Sequence, residues 1–369
     1  MLFRILALIQ KEILAVLRDP KSRMMLIFPP LFQLIIFSFA ATLDVKNVSI
    51  AILNSDNGPE SFELIQRFRG SPTFTNIIYL DSLSDIAKVI DNQKVSMVIH
   101  FDSQFSRDIQ AKKPANVQLI LDGRKSNTTQ IIQGYAITII ENFSKDLGKK
   151  IGIHGQKTEV YPRNWFNPNL LYHWFNVPNL SGILTMLIGL TITALSVARE
   201  RELGTFDQLL VSPLQHFEIL IGKTIPALII GLMEGTIIIA AAVYIFQIPF
   251  TGSLPLLYFS MFVFISSIVG VGLFISSLSK NQQQAILGSF IFMIPAVTLS
   301  GYATPIENMP LWLQKMTFIN PLRYYLVIAK GIFLKDMPAK IVLDNVWPMA
   351  IIASFTLTGA AWFFRRRLE

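Results

Sequence analysis

The sequence predicts a membrane protein: an all-α domain of six transmembrane helices with an α/β extracytoplasmic domain inserted into it. Three observations carry this. Of the 369 residues, 52% are hydrophobic and only 15% are charged, against about 25% charged in an ordinary soluble domain. Several apolar stretches reach the length of about 20 residues that a bilayer requires of a helix. Between the first two of them lies a polar insert with the size of a small domain and alternating strand and helix patterns.

The elements follow in order. Residues 1–23 carry Arg4, Lys11, Arg18, Lys21 and Arg23 among short apolar groups. Arg4, Lys11 and Arg18 share one helical face, opposite Leu6, Ile9, Ile13 and Val16, as expected of an amphipathic helix lying in the cytoplasmic interface. No small-residue cleavage site follows, so no signal peptide is expected. The spans are 24–43, 178–198, 225–246, 254–278, 285–302 and 345–364, with 365–369 as a tail. Pro29-Pro30 should bend the first, which neighbouring helices can compensate. An even number of spans puts both termini on one side. The N-terminal basic cluster, Arg199, Arg201, Lys280 and Arg365 to Arg367 then all face the cytoplasm, as the positive-inside rule prefers.

The insert, 44–177, reads as strands at 48–53, 77–80, 95–101 and 117–121. Helices are expected at 59–68, 83–91 and 105–111, with a longer one from Asn127 to about 147 capped by Asn127 and Gln130. Strands alternating with helices predict an α/β sandwich. Asp122-Gly123 reads as a turn, and Asp122 with Arg124 as a weaker candidate for ligand binding. The aromatics before the second span, Trp165, Phe166, Tyr172, Trp174 and Phe175, fit an interfacial belt. Segment 303–344 returns to the extracytoplasmic side. Within it, 309–318 and 321–334 read as short amphipathic helices parted by Ile319-Asn320-Pro321, re-entrant or lying on the outer leaflet.

Composition excludes several chemistries. The chain has no cysteine and four scattered histidines, which removes disulfides, thiolate chemistry and a metal site. The net charge of +8 lies beside the apolar runs, where it serves topology, so no nucleic-acid partner is expected. Gly222-Lys223-Thr224 resembles the end of a phosphate loop. Phe217 stands where that pattern needs its first glycine, and no strand precedes it, so ATP binding by this chain is excluded. Glu234 lies near the middle of the third span. Intramembrane acids are costly and usually face a cavity or a partner. It reads either as part of a translocation path or as one structural hydrogen bond.

The cytoplasmic loop 199–224 is the most informative stretch. Arg199-Glu200-Arg201-Glu202 extends the second span, and Arg199 and Glu202 are spaced to pair. Gly204 breaks the helix. Thr205 and Gln208 then have the spacing of a capping box, and Ser212-Pro213-Leu214-Gln215 that of a second. Phe206, Leu209 and Leu210 fall on one face of the short helix between. Three large apolar side chains turned to the cytosol need a cover: the chain's own N-terminal helix, the lipid surface, or a groove on a partner.

These residues also carry a family resemblance. The stretch ARERELGTFDQLLVSP at 198–213, Ile221-Gly222-Lys223 with Pro226, and Leu299-Ser300-Gly301-Tyr302 belong to it. So do PIENMP at 305–310, NPLRYY at 320–325, Leu121-Asp122-Gly123-Arg124 and NWFNPN at 164–169. Over its full length the chain resembles the ABC-2 type permeases, the membrane subunits of ATP-driven exporters, in the bacterial inner-membrane drug-efflux branch with a large periplasmic domain. The resemblance implies that the loop is the coupling helix, docked in a groove of an ATPase subunit. Its coupling residues would be Arg199, Glu200, Arg201, Glu202, Gly204, Thr205, Phe206, Gln208, Leu209, Leu210, Ser212 and Pro213. It further implies a dimer with a second permease subunit, re-entrant helices after the fifth span, and, in some members, a periplasmic membrane-fusion protein docked on the inserted domain. No cofactor is expected on this chain, with ATP and Mg2+ on the partner ATPase. The expected activity is efflux of lipophilic, drug-like compounds, the chain itself being no enzyme. The alternative is a membrane receptor with an extracytoplasmic ligand-binding domain. It calls for a cytoplasmic output domain, and 365–369 offers none.

Overall fold

A computed structural model describes residues 2–18, 20–39, 45–151, 166–169, 171–206 and 214–366. The chain forms two compact units, Met1–Ala41 with Arg163–Glu369, and Thr42–Pro162.

The smaller unit is built on four strands, β1 (Ser49–Asn54), β2 (Asn76–Tyr79), β3 (Met97–Phe101) and β4 (Val117–Leu121). Their order is β2-β1-β3-β4, with β1 parallel to β2 and β3, and β4 antiparallel at the edge. Successive strand side chains point to opposite faces, and here both faces are apolar. Ile50, Ile52, Met97, Ile99 and Phe101 pack against α3 (Pro59–Arg69), α5 (Phe105–Gln110) and α6 (Ser126–Ile151). Ala51, Leu53 and Val98 pack against Ile86 of α4 (Ser84–Asp91) on the other face. The unit is therefore a three-layer α/β/α arrangement around a mixed sheet, as the alternating pattern predicts. The long helix starts at Ser126, so Asn127 lies inside its first turn and is not its cap.

Two polar groups close loops in this unit. Arg124 donates to Asp122 Oδ1 at 2.8 Å and to the carbonyls of Ile90 and Asp91 at the end of α4. A cation on the last carbonyls of a helix satisfies orphan acceptors and complements its dipole, so the Asp122–Arg124 pair is engaged as a clasp. Asp56 is buried and accepts hydrogen bonds from Ser106 Oγ and from the amides of Gly58 and Ser106. Gly58 has no room for a side chain there, since a Cβ would stand 2.2 Å from Ser106 Cβ. Burial pushes the Asp56 carboxyl upward, but hydrogen bonds from Ser106, Ser61 and Gly58 outweigh it and hold the group below its ordinary 3.8. A carboxyl depressed in the folded state stabilises fully above its unfolded value, and that contribution fades as the pH falls below it. Asp56→Ala is accordingly expected to weaken the unit by about 1–3 kcal/mol at neutral pH. Faster hydrogen exchange of the β1 amides checks this, and the difference from wild type should shrink below the ordinary aspartate value.

The larger unit is helical. It comprises α1 (Leu2–Arg18), α2 (Pro20–Phe39), α7 (Tyr172–Glu202), α8 (His216–Tyr244), α9 (Leu254–Leu278), α10 (Gln282–Thr298), α11 (Leu311–Met316), α12 (Pro321–Lys335) and α13 (Ala339–Arg366). Among the described residues, four helices are long and apolar enough to cross a membrane: Tyr172–Glu202, Phe217–Tyr244, Leu254–Leu278 and Ala339–Phe363. The other two predicted spans fall on α2, whose apolar run is Phe28–Ser38, and on the 17-residue α10. The last helix begins at Ala339, before the predicted 345. α10 stops at Thr298, short of the predicted 302, because the chain turns there through Gly301 at φ +85.

α7 is the central post, packed against α2, α8, α9, α10 and α12. Small residues let its neighbours close in, as in membrane helix pairs generally. Gly182 lies under the Tyr325 ring, and Gly272 of α9 lies against Thr193. Tyr325 in turn stacks on Phe264 with centroids 4.5 Å apart. α12 is thus core, with Leu322, Tyr325, Ile328, Ile332 and Phe333 fully buried, whereas α11 exposes Leu311 and Trp312. Asn320 makes the break between them. Its side chain accepts from the Leu322 amide at 3.1 Å and donates to Ala296 O at 2.6 Å, tying the start of α12 to the end of α10.

A candidate functional site at the charged end of the bundle

The charged residues that end α7 are not a solvated tail. Arg201 donates to the carbonyls of Ser277 and Ser279, at 2.9 and 3.1 Å, at the C-terminus of α9. Glu202 Oε2 accepts the Gln282 amide at 2.9 Å at the N-terminus of α10. A cation therefore meets a helix C-terminus and an anion a helix N-terminus, each satisfying groups the helix leaves open. Glu202 reaches to α10, a partner the expected pairing with Arg199 did not foresee. The loop between α9 and α10 is closed further by Asn281, which accepts from Gln284 N, and by Gln284, which accepts from Lys280 N, both at 2.9 Å.

α7 ends on a left-handed residue, Gly204 at φ +70. The Gly204 amide donates to Arg201 O at 3.1 Å and the Thr205 amide to Glu200 O at 2.9 Å, the paired bonds of a Schellman ending. The Thr205 hydroxyl also turns back to Glu200 O, at 3.3 Å. Phe206 is buried among Val197, Leu214 and Ile219, with the Arg201 guanidinium 4.8 Å above its ring. Its cover is this chain itself. Gln208, Leu209, Leu210, Ser212 and Pro213 lie outside the described residues. α8 begins at His216, where Glu218 Oε2 accepts the Gln215 amide at 2.9 Å. Gln215 is thus the cap of α8 and Glu218 its N3 acid, a correction to the box read from Ser212 to Gln215.

Beside this ending lies a buried charge cluster that sequence reasoning did not assemble. The Lys223 side chain is 1% exposed. Its Nζ lies 2.9 Å from Glu12 Oε1, 2.8 Å from Glu200 Oε2 and 3.1 Å from Ser196 Oγ. Glu200 Oε1 also accepts from Lys11 Nζ at 2.7 Å. Three elements meet here: α1 through Lys11 and Glu12, the end of α7 through Ser196 and Glu200, and the start of α8 through Lys223. Gly222 makes the approach possible, since a Cβ on it would stand 2.8 Å from Leu8 Cβ of α1. The Gly222-Lys223 pair that imitates a phosphate loop thus has a packing role and an ion-pairing role inside one helix. The signal for the cluster was Glu12, one acid in a basic amphipathic helix.

Further along α7, Ser276 of α9 enters the helix ladder. Its hydroxyl donates to Ala194 O and accepts from the amides of Val197 and Ala198. Glu234 stands apart from the charged end. It is 5% exposed, and neither carboxylate oxygen has a hydrogen-bond partner among the described residues. Its neighbours Gly231 and Gly235 pack on Ile265 and Met261 of α9.

A family model described as "ABC-2 family transporter protein" matches residues 21–362. The chain is 47% identical over 370 residues to the "Probable multidrug ABC transporter permease YbhR" of Escherichia coli strain K12, covering all of both chains. It is 29% identical to the "Probable multidrug ABC transporter permease YbhS" of the same organism, over 99% of this chain and 98% of that one. With the "Inner membrane transport permease YhhJ", also from strain K12, it shares 24% identity over 97% and 96% of the two chains. These relatives and the long apolar helices make it a multi-pass protein of the inner membrane. The chain belongs to the ABC-2 family of transporter proteins, and is the membrane-spanning permease subunit of an ABC exporter, the part that does not hydrolyse ATP.

Proposed function

We propose that this permease exports lipophilic, drug-like compounds as one of two six-span halves, and that its ATPase subunit docks at 199–213. α2, α7, α8, α9, α10 and α13 are the spans. Both termini and the charged end lie in the cytoplasm, which puts Arg199, Arg201, Lys280 and Arg365 to Arg367 on the side that favours them. The α/β unit lies outside, where a membrane-fusion protein can dock. The second half is another copy or a related permease. Two related permeases in one organism, at 47% and 29% identity to this chain, support the mixed pair. The multidrug description of those relatives supports the substrate class.

One observation carries the coupling assignment. Both flanks of the 199–224 loop are fastened to the same ion cluster and, through Arg201 and Glu202, to α9 and α10. A displacement of the loop therefore reaches α1, α7, α8, α9 and α10 together, as in the rigid-body transitions that switch packed bundles between states. ATP and Mg2+ act on the ATPase, and this chain receives the movement.

The test is co-purification of the ATPase subunit with the detergent-solubilised permease, comparing wild type with Leu209→Asp/Leu210→Asp. A buried acid in a docking groove costs several kcal/mol, so recovery should fall by about tenfold or more. The size-exclusion profile should not change. Equal recovery with both proteins would sink the coupling role of this stretch.

A further inference from the structure

The serines of α9 do not behave alike. Ser260, Ser266 and Ser267 each return their hydroxyl to a carbonyl of α9 itself, those of Leu256, Phe262 and Phe264. Ser276 is buried as they are, and helix geometry places the Gly272 carbonyl one turn before it. It turns to α7 instead. Its hydroxyl donates to Ala194 O and accepts from the amides of Val197 at 3.0 Å and Ala198 at 3.2 Å. A hydroxyl has one hydrogen and two lone pairs, so its whole capacity goes to the neighbouring helix.

In an unbroken α-helix the Ala198 amide serves Ala194 O and the Val197 amide serves Thr193 O. The Ser276 hydroxyl stands between the first pair, and a side chain inserted into this ladder is one of the causes of helix bending. The preceding turns are loosened as well. Thr191 donates to Leu187 O, and Thr193 to Gly189 O and Leu190 O, and such back-bonding bends helices. The surroundings are smooth, with Ala194 and Ala198 meeting Ala285 of α10, and small residues let backbones shift closely past one another. On the membrane side of this turn Gly272 is closed on Thr193. On its other side Arg201 holds the carbonyls of Ser277 and Ser279.

Every group in the turn has a second partner within reach of a small movement. When the Ser276 hydroxyl turns to Gly272 O, as Ser260 and Ser266 do to theirs, the Ala198 amide closes on Ala194 O and the Val197 amide on Thr193 O. Three bonds to Ser276 are exchanged for three inside the helices, and no buried polar group of the set is orphaned. Two arrangements of similar energy are what a conformational switch requires. We infer that Ser276 is the switch residue at which the charged end of α7 bends against its membrane part, the hydroxyl alternating between α7 and α9. It is a positioning residue, acting through α7. The inference rests on the proposed ATPase docking only for the source of the load.

Hydrogen exchange of the full chain in nanodiscs, read by mass spectrometry over residues 193–203, compares wild type with Ser276→Ala and Ser267→Ala. Without the Ser276 hydroxyl the ladder of α7 closes on itself, so exchange should slow about fivefold with the melting temperature retained. Ser267→Ala, which loses a back-bonded hydroxyl, should exchange there as wild type does. Faster exchange and a lower melting temperature in Ser276→Ala would make the serine a structural clasp and overturn the inference. So would an unchanged rate. A second measurement reads the movement. The chain has no cysteine, so Phe259→Cys/Gln283→Cys, at two exposed positions, carries two nitroxides and no others. In complex with the ATPase subunit, ATP should change their separation in the wild-type and Ser267→Ala backgrounds but not in Ser276→Ala. A full change in Ser276→Ala would overturn the switch. Failure of the complex to form in every background would count against the docking alone, and the exchange rates would still decide the switch.

Discussion

Lys223→Met is expected to destabilise the helical unit by about 3–5 kcal/mol, the range for removing one member of a buried ion pair. The lysine is 1% exposed and touches both Glu12 and Glu200. Without it, among the described residues, Glu12 keeps its 3.4 Å contact with Ser196 Oγ and Glu200 keeps Lys11. The loss comes from the charges left behind, not from the net worth of the pair. Lys223→Met/Glu12→Gln/Glu200→Gln should therefore recover most of it, because uncharged groups of similar shape carry no ionic desolvation penalty. Thermal unfolding of the purified protein checks both, with the single variant melting roughly 10 °C lower and the triple variant close to wild type. An unchanged midpoint for the single variant would mean that water reaches the acids.

Gly272→Val is expected to separate α9 from α7. A Cβ at this position would stand 1.8 Å from Thr193 Oγ1, 2.8 Å from Thr193 Cβ and 3.1 Å from the Leu190 carbonyl. The threonine cannot swing away cheaply, because its hydroxyl donates to Gly189 O at 2.6 Å, and the carbonyl cannot move without the helix. Overpacking of this kind costs about 1–3 kcal/mol, and backbone contact puts it at the upper end. The control is Gly359, where nothing lies within 4 Å. Gly359→Ala should be neutral or slightly stabilising, since alanine restricts the unfolded helix more than glycine does. Yield and melting temperature of the two variants should diverge. A Gly272→Val protein that melts like wild type would show that the two helices are not in contact there.

What was legible in the sequence is what depends on short-range pattern. α9 runs over 254–278 as read, because it is apolar throughout and bounded by Ser-Leu-Pro and Ser-Lys-Asn. The strands were legible from their apolar runs between turn residues, and both faces of the sheet turned out to be covered. α7 continues through Arg199 to Glu202 and breaks at Gly204, as read, whereas α8 starts at His216, later than the start read at Ser212-Pro213. Backbone hydrogen bonding does not stop where the side chains become charged. The correct cap of α8 was visible as Gln215 followed three residues later by Glu218, but Ser212-Pro213 offered a stronger-looking alternative. The ion cluster was not legible, because its pairs join residues 189 and 211 apart in sequence. No local period encodes such a pairing.

The two bonds that Arg201 and Glu202 make across the α9–α10 turn have a mechanical consequence. Consecutive residues at the tip of one helix grip the closing end of a second and the opening end of a third. The three helices are thus collared at one level, and a torque applied to any of them is shared before it travels along the membrane normal. Beyond the collar the chain passes at once through Gly204, whose left-handed backbone is the first joint. If the ATPase docks as proposed, a load taken up at the tip of α7 is shared with α9 and α10 through these bonds.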